Sequence, residues 1–189
     1  MKFYSIKCFF IALLLTTSNL ANAGLIIDIF ESGNDIILLG SGSFNTSGSS
    51  VVGSSSFSGG FITGGSVASV GSGTWDAYNG IISSDGLFGT GTSFAPGSAF
   101  TGSVFGIDLL QQNGLVFLPT NYFSGTALSG STTITGQSFL SLGLVTGSYT
   151  YSTSTDSVTI NIQKVSSPSM LAFFVITLGI FLLRTIRKD

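Results

Sequence analysis

Carboxylates are the main acid–base groups in the central part of this chain. Residues 24–163 contain no Lys, Arg, His or Cys but seven carboxylates, namely Asp28, Glu31, Asp35, Asp76, Asp85, Asp108 and Asp156. Without histidine or lysine, this stretch can form no Ser-His-Asp triad, no Ser-Lys dyad and no ordinary zinc site. A hydrolase with two carboxylates facing each other across a sugar stays open as an alternative, although no spacing selects a pair. We expect a protein that is not an enzyme.

The densest acidic group is Asp28, Glu31 and Asp35. Together with backbone carbonyls of the intervening turn, these side chains could supply the oxygen ligands that Ca²⁺ prefers. Their spacing lacks the order of an EF-hand loop, and Asp is a common turn residue. The pattern favours a solvated hairpin end over a calcium site, and we expect no cofactor.

One cluster has the composition of a sugar-binding platform. Trp75 and Tyr78 could stack on sugar rings, while Asp76 and Asn79 beside them could bind hydroxyl groups. Large aromatic side chains are usually well buried, so a core position is the favoured interpretation. A carbohydrate-binding module is the alternative, and it requires that Trp75 and Tyr78 be exposed on one face.

Composition excludes a further class of function. Only 7% of the residues are charged, and residues 24–163 carry seven negative charges and no positive charge. A body without cations cannot neutralise phosphates, so we expect no nucleic-acid partner.

The N-terminus has the pattern of a secretory signal peptide. Lys2 and Lys7 precede an apolar run at 8–15, and Ala21 and Ala23 form a small-x-small cleavage site. The apolar run is too short to span a bilayer. We therefore predict a signal peptide at residues 1–23 and a mature chain that begins at Gly24.

The C-terminus has the pattern of a membrane helix. Pro168 is suited to the first helical position, and residues up to 183 are mostly apolar. The basic residues Arg184, Arg187 and Lys188 follow and would stay in the cytoplasm by the positive-inside rule. We predict one transmembrane helix at about 168–183 with the acidic body outside.

The segment before this helix reads Val165, Ser166, Ser167, Pro168, Ser169. With the short apolar helix and the basic tail, it resembles the PEP-CTERM sorting signal of exported proteins of Gram-negative bacteria. The usual core of that signal is Val-Pro-Glu-Pro-Ser, and this chain has Ser166 and Ser167 in place of the first proline and the glutamate. The resemblance implies processing by the membrane protease exosortase; a plain anchor is the alternative.

The body resembles an ectodomain that recurs in exported PEP-CTERM proteins. The similar segments are 31–35, 40–42, 119–130, 139–144, 147–149 and 156–162. This resemblance implies an address at the cell surface or in the extracellular matrix, associated with exopolysaccharide and biofilm, and it implies no reaction.

The body itself is predicted to be all-β. Apolar runs at 25–30 and 36–39 flank a Gly-Asn turn, which is typical of a β-hairpin. Further candidate strands are 61–62, 103–110, 114–118, 132–134, 138–142, 148–152 and 157–162. Short strands separated by glycine turns indicate a single β-sandwich or jelly roll, with glycine-rich surface loops between 40 and 73.

These inferences together predict three regions: a signal peptide at 1–23, an all-β ectodomain at 24–163 and a sorting signal at 164–189. The expected partners are an exosortase-type protease, the inner membrane through the C-terminal helix, and polysaccharide. The expected product is an exported protein, first membrane-anchored and then at the cell surface or in the matrix.

Overall fold

The computed structural model describes residues 24–110 and 114–164, without the side chains of Ser83 and Ser84. In these two ranges the chain forms two seven-stranded sheets and a single one-turn helix. The predicted all-β class is therefore confirmed.

Sheet 1 brings the first and last strands of the described chain together. In spatial order it contains β7 (Ser83–Ser84), β13 (Gly147–Ser152), β14 (Ser157–Gln163), β1 (Leu25–Ser32), β2 (Asp35–Gly42), β12 (Leu128–Thr135) and β9 (Ala99–Gly102). Neighbouring strands are antiparallel except for β1 and β14, which are parallel. Because β14 pairs with β1, chain segments more than a hundred residues apart in sequence lie side by side in the middle of the sheet.

Sheet 2 is antiparallel throughout. In spatial order it contains β3 (Val51–Phe57), β6 (Gly73–Tyr78), β11 (Leu115–Pro119), β10 (Phe105–Asp108), β5 (Val67–Val70), β4 (Phe61–Thr63) and β8 (Phe94–Pro96). The inner faces of both sheets contribute to one apolar core, so the architecture is that of a β-sandwich.

The predicted N-terminal hairpin is confirmed as β1 and β2. Leu25, Ile27 and Ile29 are fully buried, since alternate side chains of a strand point to one face. The strands pair through Ser32 and Asp35 around a two-residue turn. Gly33 has φ +64° at the first turn position, which a type II′ turn requires and glycine adopts without strain.

Most other predicted strands are also confirmed, with shifted ends. The segments 61–62, 114–118, 132–134, 148–152 and 157–162 lie in or largely overlap β4, β11, β12, β13 and β14. The segment 103–110 contains β10, which is shorter, at Phe105–Asp108.

The predicted strand at 138–142 is wrong, because these residues form the helix α1 (Phe139–Leu142). Ser138 caps its N-terminus by accepting from the Ser141 amide, and Gly143 ends it with φ +66°. Phe139 and Leu142, three positions apart, are buried on one helical face. Caps at both ends therefore outweigh the apparent alternation of the sequence.

The Ser/Gly-rich segment 40–73 is also more ordered than expected. It contains β3, β4 and β5 and not surface loops alone. Gly60, Gly64 and Gly65 are buried, and a Cβ on any of them would lie within 2.5 Å of a neighbouring atom. Glycine is needed at these positions because backbone and side chains from other segments pack directly against the chain.

Candidate functional site

All seven carboxylates act as hydrogen-bond acceptors, and all except Asp108 join separate segments of the sandwich. Six of them accept from backbone amides and the seventh accepts from a side-chain amide. The pairs are Glu31 with Phe139, Asp35 with Gly136, Asp76 with Asn121, Asp85 with Thr150, Asp108 with Leu110, Asp156 with Asn45 and Ser157, and Asp28 with Asn161 Nδ2. Every acid that sequence analysis offered for chemistry thus has a structural partner.

The proposed calcium ligands are not brought together. Asp28 lies on the outer face of sheet 1 with Asn161, 2.9 Å from its amide nitrogen. Glu31 accepts from the first amide of α1, and Asp35 accepts from Gly136 after β12 at 3.1 Å. No group of three or more His, Cys, Asp or Glu among the described residues is placed to hold a metal ion.

Trp75 and Tyr78 lie on opposite faces of β6, because they are three positions apart in a strand. Tyr78 is only 8% exposed and belongs to the core between the sheets. Burial, and secondarily the charge of Asp76, raises the pKa of its hydroxyl above the ordinary value. The two side chains therefore form no shared platform, although Trp75 faces outward.

Trp75 instead belongs to an aromatic patch on the outer face of sheet 2. We define this patch by five side chains from β3, β4, β6, β8 and β11: Phe57, Phe61, Trp75, Phe94 and Phe117. Successive ring centroids lie 4.4–5.2 Å apart along the series Phe117, Trp75, Phe57, Phe61 and Phe94. Such spacings are typical of favourable aromatic pairs.

The side chains of the aromatic patch range from buried to exposed. Phe117 is 4% exposed, whereas Phe94 is 60% exposed. The indole Nε1 of Trp75 is shielded and has no hydrogen-bond partner among the described residues. A depression of about 250 Å³ adjoins Phe57, Phe61 and Phe94. Rings at the Phe94 end are therefore open to a stacking ligand.

Sequence analysis identified Trp75 but missed the four phenylalanines of the patch. They are spread over 61 positions, from Phe57 to Phe117, and only strand register brings them together. Each of these rings points outward from its strand, but this pattern can be recognised only when the strands β3 and β8 are already known.

The outer face of sheet 1 has a different character. Every second residue of β12 points a hydroxyl outward, at Ser129, Ser131 and Thr133. The hydroxyl oxygens of Ser131 and of Thr101 on β9 lie 2.9 Å apart. On the other half, Ser148 donates to Asn161 at 2.7 Å. Besides the carboxylate of Asp28 and the exposed apolar side chains of Ile26 and Leu39, this face presents hydroxyl and amide groups, which bind by hydrogen bonding.

The segments that carry the predicted sorting signals lie outside the described residues. These are the signal-peptide residues Ala21 and Ala23, the motif at 165–169, the helix at 168–183 and the basic tail. Among the residues that are described, no helix has the length and apolarity needed to cross a membrane.

Comparison with known proteins returned no relative. No family model matches the chain, and no curated protein or solved structure is detectably similar to it.

Proposed function

We propose that this chain is an exported, non-catalytic protein of the cell surface or extracellular matrix, whose sandwich binds or scaffolds polysaccharide. The observation that supports the non-catalytic part is the engagement of all seven carboxylates by partners within the fold. Residues 24–163 hold no other acid or base suited to neutral pH. Binding by hydroxyl and aromatic faces is then the chemistry that remains.

A screen of the purified full chain for glycosidase activity tests the non-catalytic role. We expect no turnover. Activity that disappears when one carboxylate is replaced by its amide, for example in Asp76→Asn, would establish a carboxylate-only hydrolase instead. Asp108→Asn is a suitable control, because among the described residues Asp108 accepts from the amide two residues ahead of it and bridges no distant segments.

The proposed address rests on the two ends of the sequence. Ser166, Ser167, Pro168 and Ser169 would be read by an exosortase-type protease after export, and Arg184 would mark the cytoplasmic end of the anchor. The precursor would thus be anchored in the inner membrane before release to the surface or the matrix.

Intact-mass measurement on strains with and without the protease tests this address. We expect loss of the helix from Leu171 onward only when the protease is present, and impaired processing in Pro168→Ala, because proline fixes the extended segment before the helix. Thr185→Ala, in the tail, is the control. An identical full-length C-terminus in both strains would identify a plain anchor.

The aromatic patch supports carbohydrate binding as a second, more specific role. Neutral sugars can stack on the open rings around Phe94. Anionic polysaccharides would be repelled by the seven carboxylates unless Ca²⁺ bridged them.

A further inference from the structure

The strand β3 forms the longest free sheet edge in the described part of the molecule. It has seven residues, whereas the other edge strands β7, β8 and β9 have two, three and four. Its one strand neighbour is β6, on one side. Along the other side, its backbone donors and acceptors meet no strand among the described residues.

This edge has only one of the features that usually prevent pairing with another chain, a bulge at its start between Val51 and Gly53, and residues 53–57 beyond it are regular. Short length, charged side chains and proline protect natural edges. The edge strands β7 and β9 are short, and β8 is short and contains Pro96. By contrast, β3 has no proline and no charge, and Val51 and Val52 are 50% and 56% exposed. The strand is therefore open to addition of a further strand.

We propose that β3 pairs in antiparallel fashion with β3 of a second copy of this chain, about a two-fold axis through Ser55. The strand carries no charge, so self-pairing brings no like charges together. The irregularity between Val51 and Gly53 limits the new ladder to residues 53–57. An axis at Ser55 is the centre of that ladder.

The register around Ser55 is also free of side-chain clashes. Phe57 of each copy comes opposite Gly53 of the other, on the outer face of the sheet. The space beside Gly53 is open, since a Cβ there would meet no atom within 4 Å. The Phe57 ring packs on Trp75 of β6 and Phe117 of β11, away from the free edge, so this pair brings no clash at Gly53.

The assembly would join the two copies of sheet 2 into one continuous sheet of fourteen strands. A two-fold axis perpendicular to the sheet reverses strand direction and keeps outer faces on the same side. Because Phe57 packs against Trp75 with centroids 4.8 Å apart, the two aromatic patches would border the new interface. We assign a second copy as the partner, because the two-fold axis pairs the uncharged, regular residues 53–57 with the same residues of an identical strand.

Sedimentation of the full chain in mild detergent, over a range of protein concentrations, tests the dimer. We expect dimers that Ser55→Lys weakens at least about tenfold in Kd, because two lysines then face each other on the axis. Ser55→Thr should keep the dimer, and Ser41→Lys, an exposed site on β2, serves as the charge control. A monomer at all concentrations, or equal dimerisation of the two lysine variants, would overturn the proposal.

Disulfide trapping tests the register in a chain with Cys8→Ser. We expect Ser55→Cys to cross-link two copies readily, because residue 55 faces itself across the axis. Ser54→Cys faces residue 56 of the other copy and should link slowly, and Ser41→Cys should not link. Preferential linking by Ser54→Cys or Ser41→Cys would contradict pairing centred on Ser55.

Discussion

The ring of Phe105 occupies the space that a side chain at Gly40 would need. A Cβ on Gly40 would lie 2.5 Å from Cζ of Phe105 and 2.7 Å from Cγ2 of Val70. Gly40 belongs to sheet 1, and both neighbours belong to sheet 2. The close packing of the two sheets therefore depends on a missing side chain at this position.

Replacing Gly40 with alanine should destabilise the sandwich. The added methyl group must displace a fully buried ring, and overpacking of this kind typically costs about 1–3 kcal/mol. Chemical denaturation of the purified chain measures the change. Ser41→Ala, which alters the neighbouring outward side chain, should change the free energy of unfolding by less than about 0.5 kcal/mol. Equal stability of both variants would show that the two sheets accommodate the added methyl group without any loss in the free energy of unfolding.

Strand positions were predictable from sequence where one face is buried and the other is solvated. The strand β14 alternates Val158, Ile160 and Ile162 with polar residues, and the structure places these three in the core. Strands such as β3 could not be found, because Ser and Gly at successive positions give no periodic apolar signal. Their pairing depends on register with distant strands, which the local sequence does not contain.

A half-buried tyrosine hydroxyl joins two loops and offers a second stability test. The Tyr122 hydroxyl accepts from the Phe44 amide at 2.9 Å and donates to the Thr126 carbonyl. Burial raises its pKa, so it stays protonated at neutral pH. Tyr122→Phe leaves the Phe44 amide without its acceptor, which should cost about 1–3 kcal/mol.

Thermal or chemical unfolding of Tyr122→Phe measures that loss. Tyr149→Phe is the matched control, because its hydroxyl donates to a single exposed carbonyl, that of Val145, at 3.1 Å. The control should lose less stability than the test variant. The reverse order would mean that water replaces the Tyr122 bonds.

Sequence reasoning recovered one residue of the candidate ligand surface. Trp75 stands out in the sequence because tryptophan beside amide and carboxylate groups is a conspicuous local pattern. Proximity in sequence suggests that Tyr78 lies beside it, but the alternation of β6 places the two side chains on opposite faces. Phe94 has the most exposed ring of the patch. The sequence around it does not show this role, because its neighbours in space come from other strands.

Stacking on the aromatic patch predicts loss of glycan binding when its open ring is removed. If the full chain binds a neutral glycan in an array, Phe94→Ala should weaken binding about 5- to 150-fold, corresponding to about 1–3 kcal/mol by analogy with other stacking contacts. Leu140→Ala, at an exposed apolar site on α1, should have no effect. Equal binding by all three proteins would exclude the patch as the glycan site.

Cleavage after Ala23 predicts Gly24 as the first residue of the exported protein. The first strand begins at Leu25, so removal of residues 1–23 leaves β1 complete. A Cβ at position 24 would lie 2.3 Å from the Ser157 carbonyl oxygen, which leaves little room there for a larger residue. N-terminal sequencing of the exported protein decides the point, and an intact Met1 would contradict it.

Alkaline pH should destabilise the fold through Tyr151. This side chain is fully buried, and its hydroxyl donates to the Gly86 carbonyl at 2.8 Å. Burial, and secondarily the charges of Tyr149 and Asp85, raises the pKa of Tyr151 above the ordinary value of 10.0. Its contribution is therefore fully present below about pH 10 and is lost as pH rises, because the unfolded chain releases the proton first.

Denaturant titrations at a series of alkaline pH values measure this effect. Above about pH 10, Tyr151 should lower the free energy of unfolding by about 1.4 kcal/mol per pH unit. Tyr151→Phe should lose stability at neutral pH, because the Gly86 carbonyl loses this donor, and should show a shallower alkaline decline. Gly40→Ala is the control: it should lower stability at every pH without changing the slope. An unchanged slope in Tyr151→Phe would show that this hydroxyl ionises equally in both states.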